Sequence, residues 1–141
     1  MTAPVQIGNY ILTMLLDAGS EINLMPHSTY EDLGLMMEED VRWCMCNANS
    51  KMTNLLGVCK DVLIGISGIT EKFHVFVGKS CEYDIILGRQ WEAAMCTAYR
   101  NLNDGSCWIK MYLHDSLKAI QLMVASPQHP RNWETIRRAD F

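Results

Sequence analysis

Short apolar segments bounded by turn residues occupy the first part of the chain and are typical of β-strands. Two such segments, residues 5–7 and 10–16, flank Gly8-Asn9, which is a typical two-residue turn sequence. Together they predict a β-hairpin. The second segment runs directly into a polar, glycine-containing stretch at residues 17–20, so a hydrophobic strand is expected to end there.

Two short helices are expected among the strands. Pro26 suits the first position of a helix, because the fixed φ of proline is already helical and its missing N–H is not needed there. Gly34 is a typical stop signal for the same helix. Residues 89–95 predict a second short helix, directly after an apolar segment.

The rest of the chain is a series of short apolar segments separated by turn residues. The predicted strands cover residues 41–46, 55–59, 61–66, 73–77, 84–88, 97–102 and 107–113. Turn sequences at Ser67-Gly68 and at residues 103–106 separate some of these strands. Many short strands with frequent turns favour an all-β architecture, closed or sandwiched.

One domain is expected. The length of 141 residues is enough to bury a core, and 49% hydrophobic with 20% charged residues is an ordinary globular composition. Pro127 and Pro130 mark the end of the predicted strands, so we assign residues 1–126 to the domain and 127–141 to a tail or linker.

Charge and hydropathy exclude some classes of function. A net charge of −4 argues against a dedicated nucleic-acid-binding domain, which usually has a basic face. No apolar run is long enough to span a bilayer, and the first residues do not resemble a secretion signal. We therefore expect a cytoplasmic, reducing environment, with the six cysteines mostly as buried free thiols and disulfides as the alternative.

The segment 15–23, Leu-Leu-Asp-Ala-Gly-Ser-Glu-Ile-Asn, carries the candidate chemistry. Asp17 follows a hydrophobic strand, and Gly19 can adopt backbone conformations closed to other residues. A carboxylate on such a turn can accept hydrogen bonds from nearby backbone amides. An isolated Asp-X-Gly triplet is most often an ordinary turn at a strand end, so its meaning depends on the surrounding sequence.

Taken together with the surrounding sequence, the triplet resembles the active-site motif of the retropepsin-like aspartic proteases, most closely those of gypsy-type LTR retrotransposons in fungi. The resemblance covers about residues 5–113 and rests on four stretches in the family's order. They are the strand leading into residues 17–23, Asp-Leu-Gly-Leu at 32–35, the strands within 57–77, and Tyr-Asp-Ile-Ile-Leu-Gly-Arg-Gln-Trp at 83–91. The combination of Asp-Ala-Gly with the downstream Ile-Leu-Gly-Arg is the specific part of the match.

The resemblance implies an all-β, retropepsin-like closed β-barrel (the acid protease fold) with one or two short helices. It implies an aspartic endopeptidase in which a homodimer brings together two copies of the catalytic Asp17, which share one proton and activate a water molecule. Ala18, Gly19 and Ser20 complete the active-site loop. The implied substrate is a polypeptide, the retroelement polyprotein, and the resemblance implies no cofactor, metal ion, membrane or nucleic-acid partner.

Further roles follow from position in the family pattern. Leu87 and Gly88 are expected in a turn packed beside the catalytic loop, and Arg89 is expected to form an ion pair with Glu21, where the family usually has an aspartate. A flap that closes over the substrate is expected in the polar segment between two strands, at Asn47, Ala48, Asn49, Ser50 and Lys51.

The sequence departs from the family at Ala18, where Thr or Ser is usual. The missing hydroxyl removes a hydrogen bond across the dimer, worth about 1 kcal/mol in each subunit, which predicts a weaker dimer and reduced activity. Two alternatives stay open. One is a catalytically weak or silent retropepsin-like domain kept for binding or dimerisation. The other is a β-rich metal or redox protein that uses its cysteines, although Cys44-Met-Cys46 lacks a partner pair at the usual metal-ligand spacing.

Overall fold

The chain folds into short strands with two short helices. The computed structural model describes residues 1–39, 55–79, 83–112 and 119–127 in full, and the backbone of residues 44–46 and 52–54. The helices are α1 (His27–Leu33) and α2 (Arg89–Ala94). The strands are β1 (Thr2–Ile7), β2 (Tyr10–Leu16), β3 (Leu24–Pro26), β4 (Cys44–Cys46), β5 (Met52–Asn54), β6 (Gly57–Ile66), β7 (Ile69–Gly78), β8 (Ile85–Leu87), β9 (Ala98–Asn101), β10 (Cys107–Tyr112) and β11 (Ala119–Ala125).

Six strands form a closed barrel in the order β1-β2-β8-β3-β7-β6. The hairpins β1–β2 and β6–β7 supply most of its pairing, and the contact of Gln6 with Gly65 closes it. Closure leaves no open sheet edge, so each barrel strand has partners on both sides. The expected closed β-barrel with short helices is confirmed.

The way β8 enters the barrel positions the candidate site. Strand β8 lies parallel to β2, with Leu16 opposite Leu87, and antiparallel to β3, with Leu24 opposite Ile86. Strand β3 in turn lies parallel to β7. The ends of β2 and β8 therefore lie side by side, although about seventy residues separate them in sequence.

Two smaller sheets complete the described part of the chain. Strands β9, β10 and β11 form an antiparallel sheet with β10 in the centre, and β4 pairs with β5. The buried side of β10 contributes Cys107, Ile109 and Met111 to the main core. None of the helices in the described part of the chain is long and apolar enough to cross a membrane.

Alternate strand residues contribute to the main core. In β1, Ala3, Val5 and Ile7 are buried while the residues between them are exposed. Trp91 of α2 is 1% exposed and is among the largest fully buried side chains, as expected for an amphipathic helix packed on a barrel.

Several local features differ from the sequence prediction. Residues 57–66 form one strand rather than parts of two, with an irregular register between Cys59 and Val62, where Asp61 has a φ of 54°. Helix α1 begins at His27, with Pro26 as its N-cap, one residue later than expected. Strands β3, β5 and β11 were not predicted.

Candidate functional site

Asp17 lies at the point where β2 leaves the barrel. Its backbone N–H donates a hydrogen bond to the carbonyl oxygen of Leu87 at 3.0 Å, extending the β2–β8 pairing by one step. The carbonyl oxygen of Asp17 accepts a hydrogen bond from Ser20 N–H at 3.0 Å, which closes the following turn. Both backbone polar groups of Asp17 are therefore engaged, and its position is fixed from two sides.

The carboxylate of Asp17 is held by its own loop. Its Oδ1 accepts a hydrogen bond from the backbone N–H of Gly19 at 3.0 Å. A Cβ atom at Gly19 would lie 3.2 Å from the same oxygen, so a glycine gives the carboxylate room here. The residue is half-buried while Ala18 and Gly19 are exposed, so the acid stands at an open surface.

Gly88 packs against the loop that carries Asp17. A Cβ atom at Gly88 would lie 2.4 Å from the carbonyl oxygen of Ile22 and 2.5 Å from that of Ser20, so any larger residue would displace backbone. The next residue, Arg89, donates its N–H to the carbonyl oxygen of Ser20 at 2.7 Å. Leu87 is fully buried beneath this contact.

The structure does not bring Glu21 and Arg89 into an ion pair. Both residues are exposed, and the contacts within 4.0 Å between basic and acidic side chains in the fully described ranges are Lys60–Glu38 and His27–Glu31. The backbone bond of Arg89 to Ser20, rather than its guanidinium, attaches the start of α2 to the loop.

The predicted flap residues Asn47, Ala48, Asn49, Ser50 and Lys51 lie outside the described residues. The strands on either side of them, β4 and β5, pair antiparallel, with Cys44 opposite Asn54. The start of β6 is further held by the two backbone hydrogen bonds between Glu38 and Val58, of 2.9 and 3.0 Å.

A small apolar cluster, separate from the main core, adjoins the loop. Its buried members are Leu24, Leu55, Val58 and Phe76, and the half-exposed Ile22 and Ile86 pack against them. Ile22 belongs to the segment that carries Asp17, and Ile86 precedes Gly88 by two residues. The surface beside the aspartate is therefore partly apolar.

Sequence reasoning did not assign a role to Asn23, which is 0% exposed and donates and accepts hydrogen bonds through its side chain. The available signal in the sequence was a polar residue placed between the apolar residues Ile22 and Leu24.

No group of three or more His, Cys, Asp or Glu side chains in the fully described part of the chain could hold a metal ion. The cysteines described there, Cys59, Cys96 and Cys107, are free thiols. Burial raises the pKa of the Cys59 thiol, as expected for an unreactive core residue.

A separate cleft of about 520 Å³ lies on the β9–β10–β11 sheet and is lined in part by Tyr99, Arg100 and Trp108. None of its lining residues belongs to the loop of Asp17.

Comparison with known proteins identifies the fold. No protein-family model matches the sequence, and a search of curated proteins finds no significant match. Among solved structures, the chain is similar to the retroviral protease-like domain of Ddi1 from Leishmania major, with a TM-score of 0.61 and 19% identity over 86% of this chain and 92% of that one. It is also similar to EIAV protease complexed with the inhibitor HBY-793, with a TM-score of 0.58 and 19% identity over 68% of this chain and 88% of that one.

These matches show that the chain has the retropepsin-like protease fold, which confirms the predicted fold class.

Proposed function

We propose that this chain is an aspartic endopeptidase in which Asp17 is the catalytic residue and a homodimer supplies the second copy. The observation that carries the proposal is the placement of Asp17: a half-exposed carboxylate held by the Gly19 amide, on a loop packed against Gly88 in a retropepsin-like fold.

The proposed chemistry follows from bringing two such carboxylates together. Like charges a few ångströms apart resist joint ionisation, so the pair holds one proton between them at mildly acidic pH. The ionised member removes a proton from a bound water, whose oxygen attacks the carbonyl carbon of the peptide bond. The protonated member donates a hydrogen bond to the carbonyl oxygen, where negative charge develops. The C–N bond then breaks, and the leaving amine nitrogen takes the proton that the first carboxylate removed from the water.

A second chain is needed because no other Asp-X-Gly or Asp-Gly sequence in this chain offers a second catalytic aspartate. Asp32-Leu33-Gly34 ends helix α1 and does not follow a strand. Asp104-Gly105-Ser106 forms the β9–β10 turn, where the carboxylate of Asp104 accepts hydrogen bonds from the hydroxyl and the backbone N–H of Ser106 at 2.6 and 2.9 Å. These bonds lower the pKa of Asp104. This carboxylate stabilises a turn, so a symmetric dimer is the simplest source of a second catalytic aspartate.

The proposed substrate is a polypeptide. The half-exposed Ile22 and Ile86 beside the loop offer apolar contacts to substrate side chains, and an inhibitor complex of the similar EIAV protease is known. We extend the proposal to the processing of a retroelement polyprotein of the gypsy type, on the strength of the sequence motifs. The proposed intracellular setting rests on the cysteine spacing, which favours free thiols.

One observation favours a second candidate function, a binding or dimerisation module without catalysis. Ala18 presents an exposed methyl group where the family usually has a hydroxyl. A domain that had lost catalysis could tolerate this change, whereas a protease would retain activity with a weaker dimer.

The decisive experiment is cleavage of a peptide library at mildly acidic pH and high protein concentration. Wild type is compared with Asp17→Asn, and Asp104→Asn serves as the matched control because it removes a carboxylate from the other aspartate turn. We expect cleavage by wild type and Asp104→Asn, inhibition by pepstatin, and no cleavage by Asp17→Asn.

Cleavage that persists in Asp17→Asn would overturn the assignment of the catalytic residue. If a verified wild-type dimer and an Ala18→Thr variant are both silent, the protease proposal fails and the binding module remains.

A further inference from the structure

Asn23 is fully buried and directly precedes β3, the strand that lies between β7 and β8. Its side-chain Oδ1 accepts a hydrogen bond from the backbone N–H of Gly88 at 3.0 Å. Its Nδ2 donates to the backbone carbonyl of His74 at 3.2 Å, and its own carbonyl oxygen accepts from Phe76 N–H at 2.9 Å. One side chain therefore joins the β8–α2 turn to β7.

We propose that Asn23 is a positioning residue for Asp17, acting through the turn formed by Leu87, Gly88 and Arg89; this inference rests on the proposed protease function. Asn23 does not touch the carboxylate itself. It holds the turn, and the turn holds the loop that carries the aspartate.

The link from the turn to the loop is made at both loop ends. Leu87 accepts the hydrogen bond from Asp17 N–H at 3.0 Å, and Arg89 donates to the Ser20 carbonyl at 2.7 Å. Gly88, between them, is the residue that Asn23 holds. A shift of this turn would move both ends of the loop, and a catalytic group displaced by about 1 Å can lose roughly a hundredfold in rate.

The site requires an acceptor and a donor on one short side chain. The groups that Asn23 meets are an N–H on one side and a carbonyl on the other, and both would be left unpaired in the core without it. Reversing the amide would set N–H against N–H and carbonyl against carbonyl. Of the side chains of the same shape, a protonated aspartic acid can also accept and donate, while a carboxylate can only accept.

Because of this requirement, the effect of Asn23→Asp depends on the protonation of the introduced acid and therefore on pH. When protonated, the acid reproduces both hydrogen bonds; when ionised, it faces the carbonyl oxygen of His74 in the core. Burial raises the pKa of the introduced acid in the folded chain, so the folded state of the variant is favoured at low pH and loses stability as pH rises above the ordinary aspartate pKa. Asn23→Leu lacks both hydrogen bonds at every pH.

The control is Ser106→Ala, which removes another buried polar side chain. Ser106 is 2% exposed and bonds to Asp104 and to the indole N–H of Trp108, away from the loop of Asp17. It tests whether loss of any buried hydrogen bond has the same effect.

The first readout is amide hydrogen exchange in the full chain, which needs no catalysis. We expect exchange at Asp17 and Arg89 to rise roughly five- to tenfold in Asn23→Leu, and in Asn23→Asp only as pH is raised, relative to the amide of Ile109 in the core of β10. Ser106→Ala should leave the Asp17 and Arg89 ratios unchanged. If Asn23→Leu does not fold, Asn23→Asp across the pH range answers the question alone.

The second readout is peptide cleavage. We expect kcat to fall roughly ten- to a hundredfold in Asn23→Leu with little change in KM, and the pH–rate profile of Asn23→Asp to lose its upper part relative to wild type. Exchange ratios and pH profiles equal to those of Ser106→Ala would reduce Asn23 to a stability residue and overturn the proposal. A silent wild type with altered exchange at Asp17 would refute the protease function and leave the positioning by Asn23 intact.

Discussion

The contact between Gly88 and the loop of Asp17 makes Gly88→Ala a sharp test of the site. The added methyl group would lie 2.4 and 2.5 Å from the carbonyl oxygens of Ile22 and Ser20, and 3.0 Å from the carbonyl carbon of Ile22. All three atoms belong to backbone, so no side-chain rotation can relieve the overlap. The loop or the start of α2 must move.

The expected loss of stability is at the upper end of the range for overpacking, about 3 kcal/mol or more. Gly65→Ala is the matched control, because its nearest contact is the hydroxyl oxygen of Thr70 at 3.2 Å, the end of a side chain that can rotate. Neither glycine has a positive φ, so the backbone of both accepts alanine. We expect Gly65→Ala to change the free energy of unfolding by less than about 1 kcal/mol.

The assay is urea denaturation followed by circular dichroism at one fixed protein concentration, because the proposed dimerisation would contribute to the apparent stability. Peptide cleavage is measured beside it, and Gly88→Ala should lose activity even where it is folded. Equal free energies of unfolding for the two variants would refute the contact geometry at Gly88.

Three further results are expected. Ala18→Thr should strengthen the proposed dimer by about 2 kcal/mol, or roughly thirtyfold in Kd by sedimentation, since each subunit would gain one hydrogen bond. An unchanged Kd would contradict the role of the missing hydroxyl. Burial, and then the hydrogen bond to Glu92, raise the pKa of Tyr99, so the free energy of unfolding should fall as pH rises above about 10, the usual tyrosine value. Tyr99→Phe should remove this alkaline loss of stability. An identical dependence of stability on alkaline pH in the two proteins would contradict the role of Tyr99. The exposed Cys96 should react with a thiol reagent faster than Cys59, because Cys59 is 1% exposed and burial raises the pKa of its thiol. Mass spectrometry of the modified peptides measures the two rates, and equal rates would contradict the described burial.

Local patterns in the sequence determined much of the secondary structure. The apolar segments 5–7 and 10–16, with Gly8-Asn9 between them, specify the β1–β2 hairpin, because turn residues act over a few positions. Gly34 ends α1 with a φ of 65°, a conformation that glycine adopts without strain. The closed barrel was predicted from the family motifs rather than from the hydrophobic periodicity.

Long-range contacts decided the candidate site. The hydrogen bond from Gly88 to Asn23 joins residues 65 positions apart, and no local pattern reports such a pairing. The predicted Glu21–Arg89 ion pair was based on side-chain charge, whereas the structure connects α2 to the loop through a backbone hydrogen bond of Arg89. Strand β11 lacks a strict alternation and takes its place through pairing with β10, so tertiary context alone defines it.

The sequence by itself thus determined which aspartate is the candidate and the order of the elements around it, since motif and turn chemistry are local. Only the tertiary structure decided how that aspartate is held, because its support comes from the turn after β8 and from Asn23, which the closing of the barrel brings together.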